Sequence, residues 1–111
     1  MSEIHVVAIL TPAAGKGDRL KELLTTLATE VKSKEPDVKL KSKYEMFEQV
    51  NGEGVNVIFI QECYKDQVTF DAHFKTPWFG DMERTIPEEN LLAAPLDLKT
   101  VKPFAGFASR L

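Results

Sequence analysis

Residues 60–79 read IQECYKDQVTFDAHFKTPWF, and this stretch decides the fold because it joins one strand to two helices. The apolar residues just before it extend the predicted strand over 55–64. Asp66 is a good N-cap for a helix over 67–76, since its side chain can accept a hydrogen bond from a free backbone amide. Thr76-Pro77 is typical of a second N-cap followed by proline at the first helical position. A short further helix is therefore predicted to carry Trp78, Phe79 and Met82 inward.

N-terminal to this stretch, the sequence predicts one strand and one long helix. Residues 4–11, IHVVAILT, are mostly apolar and β-branched, which is typical of a buried strand. Asp18 is the candidate N-cap of the helix, and Pro36 ends it. The apolar residues of this helix recur every three or four positions and form one face: Leu20, Leu23, Leu24, Leu27, Ala28 and Val31.

The remaining segments predict a hairpin and a last strand. The NGEG sequence at 51–54 predicts a tight turn between strands over 43–50 and 55–64, because Asn-Gly tolerates positive φ angles. Residues 96–102, LDLKTVK, alternate in polarity and predict the last strand, whereas 103–111 reads as an irregular tail. The order β-α-β-β-α-(α)-β is that of an α+β, ferredoxin-like split βαβ fold, with helices on one face of a four-stranded antiparallel sheet. We expect one domain over residues 1–111, with its core at about 3–104.

The first strand is apolar on both sides, although helices can cover only one face of the sheet. Val6, Ala8 and Leu10 share one side, and Val7 and Ile9 share the other. A second copy of the same sheet would cover the remaining face, so a homodimer through the open sheet face is predicted.

Composition and charge argue against several classes of function. The 111 residues carry a formal net charge of −3, which gives no electrostatic reason to bind nucleic acid or anionic lipid. No apolar run approaches a membrane span, and the N-terminus does not have the pattern of a signal peptide. With Cys63 as the single cysteine, no intrachain disulfide can form and no metal site is expected. The sequence also contains no phosphate-binding glycine loop, HExxH helix or serine nucleophile elbow.

His73 is the candidate catalytic residue because its imidazole can exchange a proton near neutral pH. The alternative is a core histidine whose ring nitrogens are satisfied by nearby acceptors. On the strand over 55–64, Glu62 and Tyr64 share a face, so they approach His73 if the second helix folds over that face. A buried Glu62 would need such a partner, and the alternative is that both residues lie at the strand end in water. Aromatic residues around the helix break would wall a pocket or fill the core.

The stretch 60–79 resembles the signature of the antibiotic biosynthesis monooxygenase (ABM) domain family, and most closely that of small quinol monooxygenases. In that family a strand bears Glu and then an aromatic residue, an acidic N-cap follows, and the next helix bears His before a Thr/Ser-Pro step. The matching positions here are Glu62, Tyr64, Asp66, His73, Thr76, Pro77, Trp78 and Phe79. Many relatives have Trp where this chain has Tyr64. The first strand has no Asn of the kind that haem-degrading members use, so haem degradation is not expected.

The resemblance implies a dimeric α+β barrel and a monooxygenase that uses O2 without cofactor or metal on a small quinol, polyphenol or anthrone-like substrate. It implies catalytic roles for His73 and Glu62, with Glu62 setting the tautomer of His73. The residues expected to contact the substrate are Tyr64, Phe70, Phe74, Trp78, Phe79 and Met82. The alternatives are a non-catalytic small-molecule-binding or stress-response protein and an O2-independent isomerase or lyase. We expect a cytoplasmic protein, or a peroxisomal one if the source is eukaryotic, because the chain ends in Ser109-Arg110-Leu111.

Overall fold

The computed structural model describes residues 3–35 and 44–107. Four strands and three helices alternate along them in the predicted order. The strands are β1 (Ile4–Leu10), β2 (Tyr44–Glu48), β3 (Ile58–Tyr64) and β4 (Asp97–Val101). The helices are α1 (Gly17–Lys34), α2 (Gln67–His73) and α3 (Pro77–Glu88).

The sheet is antiparallel with strand order β2-β3-β1-β4, which confirms the predicted α+β, ferredoxin-like fold. Register places Val6 opposite Glu62 and Ala8 opposite Ile60, so the even-numbered residues of β1 and β3 share one face. The helices cover this face, and Val6, Ala8 and Ile60 are buried there. On the other face, Phe59 and Phe47 keep more than a third of their surface exposed. The alternation predicted for β3 is therefore correct.

Helix α1 packs against the sheet through the predicted apolar face, in which Leu20, Leu24, Leu27 and Val31 are buried. Its N-terminus differs from the prediction. The helix begins at Gly17 with Lys16 as N-cap and no side-chain cap, so Asp18 lies in the first turn. There its negative charge still interacts favourably with the helix dipole. Pro36, predicted to end this helix, lies outside the described residues.

The two predicted helix caps on either side of His73 are confirmed. Asp66 accepts a hydrogen bond from the Thr69 amide at the start of α2. Thr76 accepts one from the Phe79 amide at the start of α3, with Pro77 in the first turn. Helix α2 ends at His73, earlier than predicted, and the Thr76 hydroxyl donates to the His73 carbonyl. The break between the helices is thereby held by side-chain hydrogen bonds.

The hairpin connection differs from the tight Asn51-Gly52 turn that the sequence predicted. Strand β3 begins only at Ile58, and the connection is closed by the Gln49 amide donating to the Val57 carbonyl at 2.8 Å. Positive φ occurs at Gly54 (96°) and not at Asn51 or Gly52. Gly52 is needed for space instead, because a Cβ there would lie 2.5 Å from the Val55 carbonyl oxygen.

Helix α3 ends just after a proline. Pro87 in the last turn of α3 cannot donate an intrahelical hydrogen bond, and the helix ends one residue later, at Glu88. None of the described helices is long and apolar enough to cross a membrane. The terminal tripeptide on which the peroxisomal expectation rests lies outside the described residues.

Candidate active site

His73 is fixed at both ring nitrogens between the helices and the sheet. It is the last residue of α2 and is 1% exposed. Its Nδ1 lies 3.0 Å from Oε1 of Glu35, and its Nε2 lies 3.4 Å from the Tyr44 hydroxyl oxygen. Nδ1–H donating to the Glu35 carboxylate and Nε2 accepting from the Tyr44 hydroxyl is the assignment that satisfies all three groups. The imidazole is therefore held in one orientation and one tautomer.

Glu35 connects this histidine to the only tryptophan. It follows the last residue of α1, and its Oε2 accepts a hydrogen bond from Trp78 Nε1 at 2.5 Å. The side chain is 10% exposed. Glu35 is not predictable from the sequence as a partner of His73, because the two residues are 38 positions apart. No local pattern distinguishes it from the other glutamates of the chain.

Glu62 and Tyr64 lie on β3 beneath the same helices, as predicted, but their hydrogen bonding corrects the predicted pairing. The Tyr64 hydroxyl donates to Oε1 of Glu62. The Tyr64 ring lies 5.6 Å from the His73 ring, centroid to centroid. The carboxylate on His73 is therefore Glu35, and Glu62 pairs with Tyr64 instead. A buried Glu62 carboxylate is satisfied by a hydrogen bond from either His73 or Tyr64, and sequence alone does not distinguish the two pairings.

Tyr44 links the two pairs because of sheet register. It lies directly opposite Glu62 in the β2–β3 ladder, on the helix-covered face. Its ring packs edge-on against His73 at 5.5 Å. The sequence predicts Tyr44 only as part of a strand, and its hydrogen bond to His73 depends on the pairing of β2 with β3. Five titratable side chains thus form one cluster: Glu35, Tyr44, Glu62, Tyr64 and His73.

Burial dominates the electrostatics of this cluster. It raises the pKa of Glu62 from 4.5 to about 7, against a lowering effect of the Tyr64 hydrogen bond. Burial lowers the pKa of His73, which the Glu35 carboxylate partly offsets. The pKa values of Tyr44 and Tyr64 are both raised, also chiefly by burial. A neutral histidine and a carboxyl group that titrates near neutrality are suited to accepting and passing on protons.

The raised pKa of Glu62 predicts a pH-dependent contribution to stability. Below about pH 4.5 Glu62 is protonated in both the folded and unfolded chain, and between about 4.5 and 7 the folded chain alone keeps the proton. The proton that the folded chain keeps on Glu62 stabilises the fold relative to a fully ionised Glu62 by about 3 kcal/mol, and this contribution is lost as the pH rises through that window. We expect the free energy of unfolding of wild type, relative to Glu62→Gln, to fall accordingly in urea denaturation. His73 titrates in both proteins, so its opposite effect cancels in the difference.

The matched control for this prediction is Glu53→Gln, because Glu53 is exposed in the hairpin connection. Its stability relative to wild type should not change by a comparable amount across the same window. A wild-type chain that gains stability over Glu62→Gln as the pH rises would contradict the raised pKa.

A cleft of about 530 Å³ lies beside Phe79. Phe79 and Met82 line it, together with residues of the segment after α3 that include Leu92 and Leu96. The Phe79 ring also contacts the His73 ring, at 5.4 Å between centroids. Phe79 therefore contacts both the cleft and the buried titratable cluster.

The other residues expected to contact a substrate lie around the cluster and not on the cleft wall. Tyr64 is fully buried, and Phe70 packs edge-on against it at 5.2 Å. Phe74 lies between the rings of Phe70 and Phe79, at 4.9 Å and 4.8 Å. Trp78 is held by Glu35. Of the residues predicted to contact a substrate, Phe79 and Met82 line the cleft. The others pack around His73.

No protein-family model matches this sequence, and no curated protein matches it. Solved structures are similar over nearly the whole chain. The Mycobacterium tuberculosis protein Rv0793 is 24% identical, with a TM-score of 0.76 over 97% of this chain and 100% of that one. A proposed antibiotic biosynthesis monooxygenase from Caulobacter crescentus is 21% identical, with a TM-score of 0.77 over 93% and 91%. Another from Nitrosomonas europaea is 15% identical, with a TM-score of 0.76 over 91% and 89%. The chain has the fold of these proteins, as the resemblance of residues 60–79 predicted.

Proposed function

We propose that this chain belongs to the antibiotic biosynthesis monooxygenase family and oxidises a small aromatic substrate of the quinol, polyphenol or anthrone type with O2, without a cofactor. The observation that carries the proposal is that Phe79 lines the cleft while its ring contacts the ring of His73. The shared fold with structures of that name adds support. Perturbed pKa values in a buried cluster beside a cleft are typical of functional sites.

In the proposed mechanism the cleft binds the substrate and His73 takes its proton. The cleft beside Phe79 and Met82 is mostly apolar and holds the flat ring of the substrate. The Phe79 side chain turns aside on binding, which brings a substrate hydroxyl within hydrogen-bond reach of His73 Nε2. Tyr44, now bound to that nitrogen, gives way to the substrate. His73 accepts the hydroxyl proton, and Glu35 stabilises the imidazolium through Nδ1.

The reaction balances with substrate and O2 alone. The electron-rich anion reduces O2, a carbon–oxygen bond forms, and the O–O bond breaks. One oxygen atom enters the product and the other leaves as water, with all four electrons supplied by the substrate. Exclusion of bulk water by the buried cluster protects the anion and the reduced oxygen species from side reactions.

A panel of hydroquinones and anthrones incubated with the full chain tests the proposal. We expect O2 consumption in proportion to product, and one labelled oxygen atom in each product molecule when isotopically labelled O2 is supplied. Binding without turnover would replace the proposal with a small-molecule-binding protein. Turnover that persists without O2 would replace it with an isomerase or lyase, which the same histidine can support.

The open sheet face supports the further proposal of a homodimer. Phe47, Phe59 and Val7 line a shallow hollow of about 240 Å³ on this face. Phe47 and Phe59 are 45% and 37% exposed in the single chain. We expect Phe59→Lys to halve the mass measured by light scattering, because a charge on that face opposes burial against a second copy.

The matched control is Val68→Lys, since Val68 is 75% exposed on α2, away from the open face. It should keep the wild-type mass. A monomeric wild-type chain, or a Phe59→Lys chain that remains dimeric, would contradict dimerisation through this face.

A further inference from the structure

Three metal-ligand side chains meet on the open face of the sheet, at the end where β1 begins. They are Glu3, His5 and Cys63. Their meeting follows from strand geometry. Glu3 and His5 are two positions apart, so they point to the same face, and Cys63 is the direct partner of His5 across the β1–β3 ladder. No metal site was expected from a sequence with one cysteine and two histidines, and Cys63 is 58 positions from His5 along the chain.

The spacing of the three donor atoms suits a tetrahedral ion. His5 Nε2 lies 3.6 Å from Glu3 Oε1, and one ligand atom of each residue lies within 4.8 Å of the others. Ligand atoms around tetrahedral zinc are about 3.3–3.7 Å apart, as bond lengths of about 2.0–2.3 Å require. The donor atoms of Glu3 and His5 already have that spacing, and both side chains are partly exposed, which leaves them room to close on an ion.

We propose that Glu3, His5 and Cys63 bind one Zn²⁺ ion, with the fourth position open to water. A thiolate, an imidazole and a carboxylate form a donor set that zinc accepts, whereas Mg²⁺ and Ca²⁺ prefer oxygen donors alone. Binding converts the Cys63 thiol to the thiolate and releases its proton to solvent. Three protein donors and one open position are typical of zinc sites that keep a water molecule.

This site is separate from the cluster around His73. Cys63 and Glu62 are neighbours on β3, but their side chains point to opposite faces of the sheet. The proposal therefore does not depend on the proposed oxidation of an aromatic substrate. In the proposed homodimer the second copy covers the same face of the sheet as the three ligands. The metal titration therefore uses the chain in the oligomeric state in which it purifies.

The test is a titration of the tag-free full chain with Zn²⁺ against a chromophoric chelator, followed by Co²⁺ as a spectroscopic probe. We expect one ion per chain and a thiolate-to-cobalt charge-transfer band. Cys63→Ser should abolish that band, and His5→Gln should weaken Zn²⁺ binding by about 100-fold or more. His5→Gln keeps the test decisive if Cys63→Ser fails to fold, because His5 is partly exposed.

The control is His73→Gln, which removes the other imidazole of the chain and should leave Zn²⁺ affinity unchanged. Three results would overturn the proposal. They are less than one ion per chain, affinity that survives His5→Gln, and affinity lost equally in His73→Gln.

Discussion

His73→Gln is expected to lower O2-dependent turnover of the aromatic substrate by about 10²–10⁴-fold, the range typical of a lost general base. The glutamine side chain can keep hydrogen bonds to Glu35 and Tyr44, but it cannot exchange a proton near neutral pH. Substrate binding should change little, because Phe79 and Met82 on the cleft wall are untouched. Measurement of kcat and KM by O2 uptake separates these two effects.

The control for this variant is Asp71→Asn on the same helix, where the Asp71 carboxylate is exposed and accepts a hydrogen bond from Gln67. It should keep wild-type turnover. Residual turnover of His73→Gln within tenfold of wild type, in a folded chain, would exclude His73 as the base. The site would then act through binding and orientation alone.

Glu35→Ala is expected to destabilise the fold by about 1–3 kcal/mol, because it leaves one buried and one partly buried donor without an acceptor. These donors are His73 Nδ1–H and Trp78 Nε1–H. The variant frees the imidazole to rotate as well, so turnover should fall together with stability. Urea denaturation gives the stability change, and near-ultraviolet circular dichroism reports the freed tryptophan.

Glu35→Gln distinguishes the charge of Glu35 from its hydrogen bonds. Its single amide oxygen can accept from only one of the two donors, so part of the stability should remain, and the pKa of His73 should fall further because the carboxylate that raises it is gone. An NMR titration of the imidazole signals measures this shift. Glu88→Ala, at an exposed position near the end of α3, is the stability control. A Glu35→Ala chain as stable as Glu88→Ala would contradict the role assigned to Glu35.

Features that depend on neighbouring residues were predictable from the sequence. The alternation of β3 placed Glu62 and Tyr64 on the helix-covered face, and Asp66 and Thr76 cap their helices as predicted. Each depends on residues within four positions along the chain. The predicted tight turn at Asn51-Gly52 was wrong, because the connection is longer and Gly52 is needed to avoid a clash with the Val55 carbonyl oxygen.

The sequence by itself determined the order of strands and helices, the face each presents, and the presence of His73 beneath aromatic residues. Only the tertiary structure decided which carboxylate meets His73. Glu35 reaches it from the end of α1 and Tyr44 from β2, while Glu62 pairs with Tyr64. The same holds for the meeting of Glu3, His5 and Cys63. The physical reason is that hydrophobic periodicity specifies faces, whereas hydrogen-bond partners depend on register and helix ends that lie far apart in sequence.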